Sequence, residues 1–284
     1  MLLGLGSALV AAVMYGVASI MQARASREIP EGNLTPRTVI DLLRRPLLLA
    51  SIVLLVLGYV FHLVAVRQVP LFLAQTGIAV SLVVTALLAV RYFGDHLSRL
   101  EWGAIVAVVG GLVLLSSAAG ETGTERGTPT LTRSLFVVLA LVVLVAFFAT
   151  RFEGALAAAV LGLAGGMGYA IVAIASRLLH DFVLGDLLTS GVTYVLVLSG
   201  VLAFFVYSLA LQRGSVTAAT TSLITTQTIA PTIAGVAFLG DEVRDGYWPI
   251  FILGFVLTAV AAAVLVRFEG VQDPVRGIDE PAPN

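Results

Sequence analysis

Nine apolar runs, each close to the length needed to cross a bilayer, occupy most of this 284-residue chain. A helix spanning the hydrocarbon core needs about 20 residues. The runs lie near 2–21, 46–66, 70–91, 102–118, 134–150, 154–177, 189–211, 215–239 and 247–266. Backbone groups cannot face lipid unpaired, and no alternating pattern suggests a barrel, so each run is expected to be a helix. The composition agrees: 59% of residues are hydrophobic and only 12% charged, about half the charge of a typical soluble domain.

The end of the first half recurs in the second. Leu54–Ser116 aligns with Gly200–Val264 at a shift of 145 residues, rising to 146 near the end. His62, Arg67 and Ala74 then meet Tyr207, Gln212 and Ala219, and "YFGDHLSRLEWG" meets "FLGDEVRDGYWP". If spans one to four form one unit and six to nine the other, equivalent spans are five crossings apart. An odd displacement reverses direction, so the units are expected to be inverted about an axis in the membrane plane. The expected fold is an all-α polytopic membrane protein of about nine transmembrane helices, in two inverted four-helix repeats joined by a connecting helix. Its divisions are a first repeat over 1–118, a polar linker plus connecting helix over 119–151 (the linker itself over 119–131), a second repeat over 152–267, and a disordered tail over 268–284.

All sixteen basic residues are arginine. Placing the loop after the first span in the cytoplasm puts eleven arginines inside and five outside, Arg177 and Arg244 among the latter. The excess of arginine on the cytoplasmic side predicts an outside N-terminus and a cytoplasmic C-terminus. The first span carries no positive n-region, so it is expected to stay as a span rather than be cleaved as a signal peptide. Arginine in place of lysine suggests a GC-rich bacterial genome, and the expected location is a bacterial inner (plasma) membrane.

The short links "VRQVP" and "LQRGS", the exits "FGDHLS" and "LGDEVR", and the Gly-rich final spans "GAIVAVVGGLVLL" and "ILGFVLTAVAAAVL" resemble the repeat unit of the drug/metabolite transporter superfamily, EamA-like in the broad sense. The opening "YGVASIMQARAS" is similar to the first span of the NIPA-type magnesium-transporter branch. The resemblance implies a carrier working by alternating access. The chain departs from it at Gly94-Asp95-His96, where a Glu is usual, and in having nine spans rather than ten. Only the second copy has a mid-span proline, Pro231.

Polar residues at depth mark a site, because exposing them to lipid is costly. The eighth span packs Thr217, Thr221, Thr225, Thr228 and Thr232 into one helical stripe beside Gln227. These read as a hydrogen-bonding wall, with helix-to-helix glue as the alternative for each threonine. Pro231 frees the carbonyl of Gln227 and marks a hinge. Gln75, Thr76, Ser81 and Thr85 of the third span form a second wall, with Ser81 at the position equivalent to Thr226 and Gln227. Tyr15 and Tyr169 sit at matching depths in spans one and six. Tyr59 and His62 mark the second span, where His62 offers a group that titrates near neutrality. The substrate-binding set is thus Gln227, Thr221, Thr225, Thr228, Gln75, Thr76, Ser81, Tyr15, Tyr169 and His62. Small-residue stripes at Gly4, Ala8, Ala12 and Gly16, and at Gly154, Ala158, Gly162 and Gly166, predict close helix packing.

No Asp or Glu lies mid-span. Glu101 stands at a span end, and Asp241, Glu242 and Asp245 read as a solvated loop. Hydrolase, kinase and dinucleotide motifs are lacking, so neither an enzyme nor a cofactor is expected. No basic tract predicts a nucleic-acid partner. The expected partners are membrane lipids and a small-molecule or ion substrate, with a homodimer left open and metal ligands unassigned. The function expected first is secondary transport of a small polar solute or metabolite. A divalent-cation transporter of the NIPA type is the second expectation, and a non-transporting scaffold or lipid-handling subunit the third.

Overall fold

Every apolar run becomes a helix. In the computed structural model, which describes residues 1–27, 46–94, 96–123, 128–179, 188–213 and 216–266, these are α1 (Leu2–Arg27), α2 (Pro46–Gln68), α3 (Leu71–Phe93), α4 (Arg99–Ala118), α5 (Pro129–Ala149), α6 (Ala155–Leu178), α7 (Gly191–Arg213), α8 (Val216–Phe238) and α9 (Trp248–Leu265). Eight are long and apolar enough to span a membrane. The exception, α8, has 23 residues, about 34 Å of helix, but its threonines and Gln227 dilute its hydropathy. Its neighbours explain how it tolerates them. It packs against α6, α3, α7 and α9, well inside the bundle.

Local chemistry sets the ends. Ser98 opens α4 with a capping box: its Oγ accepts from Glu101 N–H at 3.3 Å, and Glu101 Oε2 accepts from Ser98 N–H at 2.7 Å. This reciprocal pair starts α4 at Arg99, three residues before the apolar run, and explains why Glu101 is buried. Thr128 caps α5 by accepting from Leu131 N–H at 3.1 Å, with Pro129 at the first helical position. The linker expected over 119–131 therefore ends earlier than its composition suggests. At the other ends, Gly94 closes α3 at φ 74° and Gly240 closes α8 at φ 73°, a left-handed exit that favours glycine. The two stand at equivalent places in the repeat.

The pattern of helix neighbours is nearly unchanged when α1–α4 are exchanged for α6–α9. α1 packs on α2 and α3 as α6 packs on α7 and α8, while α4 pairs with α9 and α3 with α8. α5 packs on α6 and α7, and no described helix holds the matching place on α1 and α2. Chain direction follows from contacts at one end of the bundle. Residues at or just after the ends of α2, α4, α6 and α8 meet there with the start of α3, through Val69, Gly123, Arg177, Asp241 and Leu71. The start of α1 lies there too, since Gly4 abuts Gln68 and Val69. Gly191 at the start of α7 abuts Thr132 near the start of α5. So α1 and α3 leave this face where α6 and α8 arrive, and α2 arrives where α7 leaves.

Glycines permit the closest approaches. A Cβ on Gly16 would lie 2.9 Å from the Ser81 carbonyl oxygen of α3, and one on Gly166 would lie 2.9 Å from Thr226 Cβ of α8. Gly162 faces the Ala219 backbone in the same way. Gly154 differs from the rest of its stripe: it has φ 90°, nothing lies near its Cβ position, and it serves as the turn into α6.

Two measurements check this arrangement. Gly162→Ala should be destabilised by about 1–3 kcal/mol through overpacking, while Gly6→Ala, with open space around it, should melt like the parent in detergent. The chain has no cysteine, so single thiols placed at Gln68 and Gln212, both exposed at helix ends, should react with an impermeant reagent from opposite sides of the membrane. Labelling from one side would sink the inversion.

Candidate functional site

Helix periodicity turns the deep polar residues of the chain toward one space. On α3, Gln75, Ile78, Ser81, Leu82 and Thr85 fall on one face. That face, with Tyr15, Ser19 and Gln22 of α1, Leu55, Tyr59 and His62 of α2, Tyr169, Val172 and Ala173 of α6, Gly200 and Tyr207 of α7, and Leu223 and Gln227 of α8, encloses a cavity of about 380 Å³. Both repeats line it. Its volume is at the small end of ligand sites. The polar groups are carboxamides, hydroxyls, phenols and one imidazole, and no Asp, Glu or Arg is among the lining residues.

Several of these groups are held by neighbours. Tyr59 Oη and Ser176 Oγ are 2.8 Å apart, tying α2 to α6. Tyr207 Oη and Thr220 Oγ1 are also 2.8 Å apart, tying α7 to α8. The Tyr15 and His62 rings lie 6.4 Å apart at 56°, tilted rather than stacked. Gln75 is almost wholly buried, and its Nε2 has no hydrogen-bond acceptor.

One helical turn from Gln75, at Leu71, lies a buried ion pair. Arg177, in the last turn of α6, reaches Asp241 Oδ1 at 3.3 Å, with side chains 5% and 0% exposed. The same guanidinium donates to the Val69 carbonyl at 2.6 Å and to the Gly123 carbonyl at 3.1 Å. Asp241 in turn accepts from Leu71 N–H at 2.6 Å and from Gly123 N–H at 3.0 Å. Backbone bonds reinforce the joint: Gly120 N–H donates to the Glu242 carbonyl, and Arg244 N–H to the Ala118 carbonyl, both at 2.9 Å. This latch binds four segments, from both repeats, at a single end of the bundle.

The sequence expectations are partly met. Tyr15, His62, Gln75, Ser81, Tyr169 and Gln227 line the cavity together, and so does Thr85. Thr76, Thr221, Thr225 and Thr228 do not. Thr76 donates to the Phe72 carbonyl at 2.7 Å and Thr228 to the Ile224 carbonyl at 2.8 Å, so their hydroxyls are spent within their own helices. Thr226 and Thr232 do the same. Of the stripe, Thr228 and Thr232 are thus satisfied within their own helix, and among the described residues of α8 the polar side chain that lines the cavity is Gln227. The Thr217 side chain lies outside the described residues, as do Asp95 and the tail over 268–284. Pro231 is buried, and α8 runs through it unbroken.

Asp241 corrects the expectation of a solvated loop: it is 3% exposed, while Glu242 and Asp245 are exposed as expected. Its role and that of Arg177 were missed, because each stands at a span end where charges are normally hydrated. Ser19 and Gln22 were also missed. Their one signal is polarity in the last turns of an otherwise apolar first span. No family model, curated protein or solved structure matches the chain.

Removing one member of a buried ion pair strands the other. Asp241→Ala should therefore lower stability by about 3–5 kcal/mol, read as a fall in melting temperature in detergent. Asp241→Asn, which keeps an acceptor for one of the Leu71 and Gly123 amides but turns a donor toward the other, should lose less, and Glu242→Ala should be neutral.

Proposed function

We propose that this multi-pass membrane protein is a secondary transporter that moves a small polar solute by alternating access. The observation that carries this reading is the cavity lined by two oppositely directed helix sets, with the Arg177–Asp241 latch one helical turn beyond it. Inverted repeats around a midplane site are a recurrent transporter architecture. A pair of units related in this way has two near-equivalent packings, one for each direction of access. Kinship with the drug/metabolite transporter superfamily is part of the proposal and rests on the sequence resemblance.

The lining favours a polar solute over a divalent ion. Mg²⁺ and Ca²⁺ sites draw on carboxylates and other oxygens, whereas this lining offers three carboxamides, four phenols, an imidazole and hydroxyls. On the arginine bias, the latch lies at the outer face of the bundle.

The test is flux. Purified protein in proteoliposomes loaded with a panel of metabolites should give counterflow of at least one solute. Gln227→Leu should reduce that flux by about tenfold through loss of a hydrogen-bonding group, while Glu242→Ala should match the parent. No flux from any solute, with protein correctly folded and inserted, would reject transport and leave a structural or lipid-handling role.

A further inference from the structure

The two repeats do not furnish the cavity equally, and the difference points to what it binds. At the shift of 145 residues, Tyr207 and Thr220 correspond to His62 and Gln75. In the second repeat the pair satisfies itself, hydroxyl to hydroxyl at 2.8 Å. In the first repeat the Gln75 carboxamide is longer, 1% exposed, and its Nε2 has no acceptor from the protein. A buried donor left unmade is destabilising, so this scaffold keeps at Gln75 a group that a ligand can complete.

Two further properties bound the ligand. Among the described residues, no Asp, Glu or Arg lines the cavity, and the nearby Arg177 and Asp241 neutralise each other. An ion entering this space would lose hydration with no opposite charge to replace it. The walls also carry Tyr15, Tyr59, Tyr169, Tyr207 and His62. The Tyr15 and His62 rings are tilted by 56° and not stacked on each other, which leaves ring faces for a flat guest.

We infer that the cavity takes an uncharged planar ring compound bearing a carbonyl or ring-nitrogen acceptor, which receives the Gln75 Nε2–H. The compound lies among tyrosines contributed by both repeats. This deepens the transport reading and rests on it for its biological sense, but what it predicts is binding.

The test is calorimetric titration of the full chain in detergent with matched probes: uracil against orotate, and nicotinamide against nicotinate. Each pair keeps the ring and adds or exchanges a carboxylate. The neutral member should bind, and its charged partner should bind at least tenfold more weakly. Gln75→Met should weaken the neutral probes by about tenfold. The inference is overturned if the charged probes bind as tightly, if no ring probe binds, or if a folded Gln75→Met protein binds them unchanged. The probe pairs on the parent protein decide the matter even if that variant does not fold. Proteoliposome flux separates the two ideas. Ring probes that bind without crossing would sink transport and leave this inference standing. Counterflow of a sugar or amino acid that no ring probe binds or inhibits would do the reverse.

Discussion

Lipid cannot solvate a carboxamide or an arginine, and that constraint organises the molecule. The one described helix not apolar enough to read as a span, α8, is placed against four others. Three of its threonines, Thr226, Thr228 and Thr232, are quieted by bonds to carbonyls one turn back. What cannot be quieted locally, such as Gln227, is turned to a shared internal space. The cavity is thus the place where side chains too polar for lipid and too large for self-satisfaction collect. The same rule accounts for the lipid-facing surfaces of α2, α5 and α7, which expose Val53, Val56, Phe147, Phe148, Phe204 and Phe205. A hydrophobic surface of that kind is ordinary for a membrane protein.

The latch is the costliest element under this rule, since two charges are buried together. Its geometry offsets the desolvation by hydrogen bonding nearly everything in reach: Asp241 accepts from two backbone amides, and Arg177 donates to two carbonyls. Arg177 Nε remains without an acceptor. Such pairs contribute little net stability compared with apolar packing, but they are sharply position-dependent. A joint of this type is strong when all its parts are in register and weak once they separate. That property suits a contact that must be made and broken in the proposed cycle better than a permanent apolar seam would.

Much of this was readable from the chain, and the reasons are physical. Apolar runs of spanning length gave the helices because backbone pairing in lipid leaves few other options. The glycine stripes marked the α1–α3 and α6–α8 contacts because only a missing Cβ allows that approach, as at Gly16 and Gly166. Gln75 and Gln227 were recognisable as cavity residues because neither can satisfy itself on its own helix. The threonines misled for the opposite reason: a hydroxyl can bond its own backbone, so a polar stripe need not face a cavity. The latch was hidden because it is assembled by Arg177 and Asp241, 64 positions apart, together with backbone groups of Val69, Leu71 and Gly123. No local pattern encodes that meeting, and a charge at a span end ordinarily meets water.

Cavity and latch are built on the same turns of helix. Leu71, whose amide is held by Asp241, opens the turn of α3 that ends at Gln75. Ser176, which bonds Tyr59 in the cavity wall, is the chain neighbour of Arg177. A ligand that engages Gln75 or the tyrosines therefore acts on the first turn of α3 and the last turn of α6, the two places where the latch is anchored. A ligand shifts a conformational equilibrium only through contacts that differ between the two states. Gln75 shares α3 with the latch anchor Leu71, and Ser176, the partner of Tyr59, shares α6 with Arg177. In the transport cycle proposed above, these shared turns are the route by which occupancy of the site would act on closure of this face, with no longer pathway required.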